Sequence, residues 1–518
     1  MKLTTRLLAV ALAALLGIAC LPGFAQLVSG NLTGTVYDAS GATVPNATVV
    51  AHNDATGVDT TTTSLSAGEY RIVNLPAGMY TIVVMAGGFS KAEIKGVQIE
   101  LNVTATANVT LQVGKSVETV EVSANAVAID TTTAQLQNTF ESQQMMDLPN
   151  ASSGSGVINL SLLAPGVATS GGVGVGTGPS VGGQRPRNNN FTIEGIDNNN
   201  GGVTGPLVGV PNDAVAEFTF LQNQFSADFG HSSGGQFNQV VKSGTNQFHG
   251  SAYEYLFNRN LNAADNLNFV QGIPLHPRFD DNRFGGTFGG PIKKNKLFFF
   301  VNYEYNPIGT IGASGTVCAP TASGYGTLAG ISGINQTNLS QLKKYLGTAS
   351  AASSPAACGD SAYPSVGSGN ESLGNQTASA VPVEVGLVPV TAPAYTNTDA
   401  AVASVDYNIS DKDSLRGRFI LNRTGLIDST GFPAVFYQIR PVNTYLATFS
   451  EFHTFTPALV NEFRLGYNRL SSNTPAGNVQ FPGLDAFPNI DIFELGGVNN
   501  TFGPDPNAPQ STVQTNTS

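Results

Sequence analysis

The chain has 518 residues, 41% of them hydrophobic and only 11% charged, with a net charge of −11. Ordinary soluble domains carry roughly 25% charged residues, and the acidic balance argues against a phosphate-binding surface, so nucleic acid is not an expected partner. The polar remainder is Gly, Asn, Ser and Thr, which suits strands and loops better than surface helices.

Met1–Ala25 reads as an export signal: Lys2 and Arg6 precede an apolar run from Leu7 to Ala19, and Gly23-Phe24-Ala25 offers a small-x-small cleavage site. The run is shorter than the ~20 residues a bilayer-spanning helix needs. No later stretch holds 18 uninterrupted apolar residues, so an exported chain of this kind is expected to be either soluble or a β-barrel.

Residues 27–113 read as a small β-sandwich of Ig-like or prealbumin-like shape. The strand NLTGTVYD, the turn Ala39-Ser40-Gly41, a second strand in TVPNATVVAH, Glu69–Val73 and Met79–Met85 follow one another with Gly/Pro turns between them. The pattern G-x-V-x-D-x-x-G-x-x-V-P-x-A, then G-x-Y and L-P-A-G-x-Y, resembles the carboxypeptidase regulatory-like domain, a non-catalytic accessory module often associated with carbohydrate binding. His52 has no zinc set around it. Tyr37, Tyr70 and Tyr80 read as core or edge residues rather than a sugar platform.

Residues 114–130 form a linker carrying Val117-Glu118-Thr119-Val120-Glu121-Val122. This short alternating run of apolar and polar residues is consistent with the last strand of the sandwich.

Residues 131–245 read as a compact α+β unit. Met145–Pro149 and Asn159–Val167 suit short helical pieces ending at Pro165-Gly166, the glycine run 171–183 is expected to be a loop, and Phe191–Asp197 a strand. Arg185, Arg187, Glu194 and Asp197 are the polar candidates there. Asp197–Gly201 lacks the distal carboxylate of an EF-hand and reads as a turn.

From residue 246 to 518 the chain alternates short turns with long loops. Strands are expected at Phe248–Asn258, with Tyr253, Tyr255 and Phe257 on one face, and at Asn282–Gly290, Lys296–Tyr305, Ala400–Ile409, Ser414–Arg423, Thr444–Phe455 and Asn461–Leu470. Long loops fill Arg259–Asp280 and Asn306 to about Asn397. Short turns on one side and long loops on the other is the layout of an outer-membrane barrel. Phe463, Leu465 and Tyr467 oppose Glu462, Arg464 and Asn468, and Val405, Tyr407 and Ile409 oppose Asp406 and Asn408. Arg416, Arg418, Arg464 and Glu462 would then line a polar lumen, with aromatics facing lipid. A plugged barrel needs roughly 22 strands, so seven visible strands followed by an Asn/Thr/Ser/Pro-rich end suggest the N-terminal part of a longer protein.

The segment GGQFNQVVKSGTNQFHG, Gly234 to Gly250, resembles the junction of plug and barrel in TonB-dependent outer-membrane receptors, particularly the Oar-like branch. Arg187–Asp197 is similar to that family's lumen-crossing plug strand, with Glu194 where Asp is commoner. Val117–Val122 resembles its TonB box, which implies, as the alternative to a last sandwich strand, a coupling segment that lends its backbone to a partner's sheet edge. The resemblance implies a mainly β protein with a sandwich, a small plug and part of an antiparallel transmembrane barrel. It implies a periplasmic TonB-type energy-coupling partner, outer-membrane lipid, and an extracellular ligand such as a carbohydrate, siderophore or peptide. The competing reading is an exported adhesin or carbohydrate-binding β protein without transport.

Cys318 and Cys358 are the cysteines left after processing, and export makes a disulfide between them plausible. No nucleophile elbow, Walker loop or zinc motif occurs in a suitable context. The expectation is a non-enzyme without cofactor or metal.

Overall fold

The computed structural model describes residues 29–114, 120–123, 135–148, 156–172, 176–202, 205–225, 229–261, 263, 269–270, 276–310, 312, 314–352, 383–431, 434–456, 459–477, 479, 490–491 and 501–518. The export signal, Val117–Thr119 and Cys358 lie outside these residues.

Among the described residues nine strands build the sandwich: β1 Gly30–Asp38, β2 Thr48–Asn53, β3 Asp59–Thr63, β4 Glu69–Leu75, β5 Gly78–Met85, β6 Ala92–Ile99, β7 Thr104–Thr106, β8 Val109–Leu111 and β9 Val120–Ser123. One sheet runs β4-β1-β7 with β8 also on β1, and the other runs β3-β2-β5-β6-β9. Alternation puts Leu32 and Val36 of β1 inward, against Tyr70, Ile72, Tyr80, Ile82 and Val84 in one sealed core. Gly34 is required in β1, because a Cβ there would lie 1.9 Å from the Ala107 carbonyl. The expected second strand is shorter than TVPNATVVAH, since Asn46 takes φ 54° in a turn ahead of β2.

The central unit holds β10 Leu136–Glu141, α1 Ser142–Asp147, a 3-10 segment Gly156–Leu163, β11 Val167–Gly172, β12 Gly176–Val181, β13 Asn190–Ile193, β14 Ile196–Asp197, β15 Val215–Asn223 and β16 Gln236–Val241. Its sheet order is β10-β15-β16-β13-β14, with β13 and β16 parallel. Two expectations are corrected here. The glycine run 171–183 is not all loop, because β11 and β12 pair as a hairpin. Phe191–Asp197 is not one strand: Glu194 at φ 53° and Gly195 at φ 68° reverse the chain, so that Ile193 pairs with Ile196. Two consecutive positive φ values are the requirement of a tight two-residue hairpin turn.

Among the described residues the wall is a single antiparallel sheet of eight strands. They are β17 His249–Asn258, β18 Phe279–Lys293, β19 Leu297–Thr310, β22 Ala394–Ser410, β23 Asp413–Asp428, β24 Gln438–Thr456, β25 Leu459–Thr474 and β28 Gln510–Thr517, in that spatial order. The long connection after β19 is not a plain loop: β20 Ser314–Pro320 and β21 Val385–Thr391 pair in it, and α2 Ala322–Gly330 and α3 Gln336–Leu346 pack beside them. Two-residue strands β26 Ile490–Asp491 and β27 Thr501–Phe502 precede β28. Here the Asn/Thr/Ser-rich end, expected to be loop, forms the eighth strand, its backbone paired to β25 from Tyr467–Thr517 to Thr474–Gln510. Backbone pairing needs no apolar pattern, which is why composition hid it.

Wall strands β18, β19 and β22–β25 run 14–19 residues, longer than the ~9–11 a tilted strand needs to cross a bilayer. Outward residues Val405, Tyr407, Phe419, Phe449, Phe463, Leu465 and Tyr467 are exposed, a greasy outer band. The inner face is less uniformly polar than expected. Phe300, Val402, Ile420 and Leu446 join the plug residues Phe191, Phe218, Phe220 and Phe237 in one core, because this face of the sheet packs against the plug. Tyr253 and Tyr255 are also inward, bonding to Glu304 and Asp213, so the aromatic face of β17 is its lumenal face and not its lipid face. Among the described residues no helix is long and apolar enough to cross a membrane.

Candidate functional site

The joint between plug and wall is built around Arg418. Inward alternation on β23 carries Arg418 into the interior, where its side chain is 3% exposed. Its Nε donates to Glu194 Oε1 at 3.2 Å, and its Nη1 lies 2.9 Å from Asp406 Oδ1 on the neighbouring β22. Glu194 is held for this contact by the hairpin turn it occupies and by the Val241 N–H, which donates to the same oxygen at 2.9 Å. Ser243, where the chain leaves the plug, donates to Asp406 Oδ2. One guanidinium is therefore shared between a plug carboxylate and a wall carboxylate, and buried charges persist only with such pairing.

A second polar group lies against β17–β19. Tyr253 donates to Glu304 Oε2 at 3.1 Å and accepts from Asn302 at 2.9 Å, while Arg283 stacks 4.6 Å over the Tyr255 ring. Tyr255 in turn donates to plug residue Asp213 at 3.3 Å. Burial raises the Asp213 carboxyl, with Lys242 and Arg283 opposing, and burial lowers the Lys242 ammonium. The Arg464 guanidinium pairs with Glu462 on the same inner face of β25.

The sandwich closes the opposite end of this interior, the end with the short turns. Asn246 bonds to the Ala55 and Thr56 carbonyls and to Asn295. Leu101, 1% exposed, sits with Phe452 of the wall and Val240 of the plug. Its N–H donates to Glu217 Oε1 at 2.9 Å, and its carbonyl accepts from Gln137 at 3.0 Å. Burial pushes the Glu217 carboxyl up to about 7. A cavity of about 460 Å³ remains where the three units meet, lined by Tyr80, Lys242, Asp406, Arg416 and Phe452 among others.

Of the residues singled out in the sequence, Glu194 is in the plug–wall joint. Asp197 accepts from the Asn199 N–H through its side chain, and its carbonyl accepts from Asn468 of the wall at 2.6 Å. Arg185 and Arg187 are exposed. Val120–Ser123 pair in parallel with Ala92–Lys95 as the edge strand of the sandwich. Cys318 is disulfide-bonded. Ser243, Glu217 and Leu101 join the site without having been candidates in the sequence. Asp406 was legible as an inward polar residue, but Glu217 and Leu101 carry no local signal. Asp413, Glu451 and His453 cluster on the outer face beside a short turn, where His453 pairs with Asp413 at 2.5 Å and Asn461 donates to Glu451.

Residues 240–518 match the family model described as outer membrane beta barrel domain, and residues 31–112 that described as carboxypeptidase regulatory-like domain. The chain is 29% identical over 293 residues to the TonB-dependent transporter Oar of Myxococcus xanthus, a match taking in 54% of this chain and 27% of that protein. Similar solved structures include the ferric enterobactin receptor of Pseudomonas aeruginosa (11% identity, 73% of this chain, 45% of that one, TM-score 0.43). The outer membrane transporter YddB of Escherichia coli is another (11% identity, 74% and 44%, TM-score 0.44). The chain thus spans about a quarter of the curated relative and less than half of these structures.

Proposed function

Because the chain belongs to the outer membrane beta barrel domain family and carries a carboxypeptidase regulatory-like domain ahead of the barrel, we propose that it serves as a TonB-dependent receptor that imports an extracellular ligand. The observation that carries this reading is a folded plug held inside a membrane-type wall by one shared, buried guanidinium, Arg418 between Glu194 and Asp406. A static wall needs no such tie. A gate does, because a few charge-assisted bonds can hold it shut and yield together when pulled.

In this reading Met1–Ala25 directs export, the long-loop face with α2 and α3 meets the ligand, and Val117–Val122 offers its backbone to a periplasmic TonB-type protein. The ligand is a carbohydrate, siderophore or peptide, and the step is transport without covalent chemistry. The segment Val120–Ser123 already uses one edge against β6 and is the last strand of its sheet, so strand addition at its other edge is the natural mode of capture.

The test uses the full-length protein. A heat-modifiable band in outer-membrane extracts, together with co-purification of a TonB-type periplasmic domain, supports the proposal. Release into the medium and no co-purification would mark an exported adhesin instead.

A further inference from the structure

We infer that the sandwich is a lever that carries a pull on the segment around Val120 into the plug, entering through the β9–β6 strand pair and leaving through Leu101. The inference rests on the coupling role proposed for that segment, but its geometry is separate. β9 lies parallel to β6 in the register Val120–Ala92, Glu121–Glu93, Val122–Ile94 and Ser123–Lys95. A pull along paired strands loads several backbone bonds at once in shear, so the sandwich moves before β9 peels away.

β6 runs directly into the turn that presents Leu101. Asn102 takes φ 59° there, and its carbonyl accepts from Gln135 of the plug at 3.3 Å. Leu101 is thereby fastened to the plug by its N–H on Glu217, its carbonyl on Gln137 and its side chain on Val240. Glu217 stands on β15, the second strand of the plug sheet, directly opposite Val240 of β16. The next residue, Val241, donates to Glu194, which holds Arg418. Displacing Leu101 therefore acts two contacts away from the tie between plug and wall. Residues 124–134 join β9 to the plug covalently, and the docked sandwich offers a second route.

Single-molecule force spectroscopy tests this on the full-length protein in a bilayer of bacterial phospholipids, with the handle on Thr119→Cys. The load is applied by the instrument, so the result does not depend on whether a periplasmic partner binds the segment. Co-purification of a TonB-type domain, measured separately, decides that question. With wild-type contacts the first rupture should release sandwich and plug together, with a length gain that includes plug residues. In Leu101→Asp the combined event should be lost, the sandwich parting at lower force and leaving the plug in place. If Leu101→Asp loses heat-modifiability and so fails to fold, the milder Leu101→Ala should show a partial loss. Identical first ruptures in wild type and a folded Leu101 variant would overturn the lever.

Discussion

Arg418 of the wall and Glu194 of the plug meet at 3.2 Å with both side chains 3% exposed, although 224 residues separate them in the chain. Removing Glu194 leaves the guanidinium with Asp406 as its remaining carboxylate, so the cost should stay below the about 3–5 kcal/mol of stranding a buried charge outright. Glu194→Gln should therefore loosen the plug while leaving the wall folded. Faster hydrogen exchange in β13 and β16, with an unchanged heat-modifiable band, is the expected result. Arg418→Met combined with Glu194→Leu and Asp406→Leu should be milder than Arg418→Met alone, since neither carboxylate that the guanidinium bridges is left behind unpaired.

The Glu217 carboxyl makes sandwich docking sensitive to pH. Burial, with Glu100 and Glu141 nearby, raises it from 4.5 to about 7 when docked, against the bonds from Leu101 and Thr219. A raised carboxyl binds its proton more tightly in the docked state. Docking is thus strongest below about 4.5 and weakens as pH rises through about 7. The distance between spin labels on the sandwich and the wall should lengthen or broaden between mildly acidic and mildly alkaline buffer. Glu217→Gln should remove that dependence.

Val120→Pro deletes a strand donor in β9 and opposes its pairing with β6. Co-purification of a TonB-type periplasmic domain should fall to background, while insertion into the outer membrane stays normal. Undiminished co-purification would remove this segment from the coupling role.

The two faces of β23 should respond oppositely to charge. Phe419 is 46% exposed on the outer face and Ile420 is 0% exposed against the plug. Phe419→Arg should cost about 2–4 kcal/mol when the wall folds into lipid, read as a lower refolded fraction in phospholipid vesicles. A soluble assembly would tolerate it. Ile420→Ala should leave insertion intact and instead speed hydrogen exchange in the plug.

Phe237 is the centre of the plug core, 4.9 Å from Phe191 and 4.7 Å from Phe220 between ring centroids. Phe237→Ala should cost about 3–5 kcal/mol. The expected signature is a plug open to protease while the wall remains resistant.

Much of this architecture is written along the chain. Strand alternation, the short-and-long rhythm of connections and the Gly234–Gly250 junction are local patterns, and local patterns survive without a fold. They determined the sandwich, the small α+β plug and the strand alternation of the wall, though not that Tyr253 and Tyr255 of β17 turn inward. Where backbone geometry overrode pattern, as at the Glu194-Gly195 reversal and in β28, the residue types were compatible with either state. Tertiary structure alone decided which inward residues meet. Leu101 and Glu217 are 116 residues apart, and neither has a neighbour in sequence that announces the other. Their contact, and the Arg418 tie, arise because a plug fills the space the wall curves around. That burial is what turns scattered polar side chains into partners.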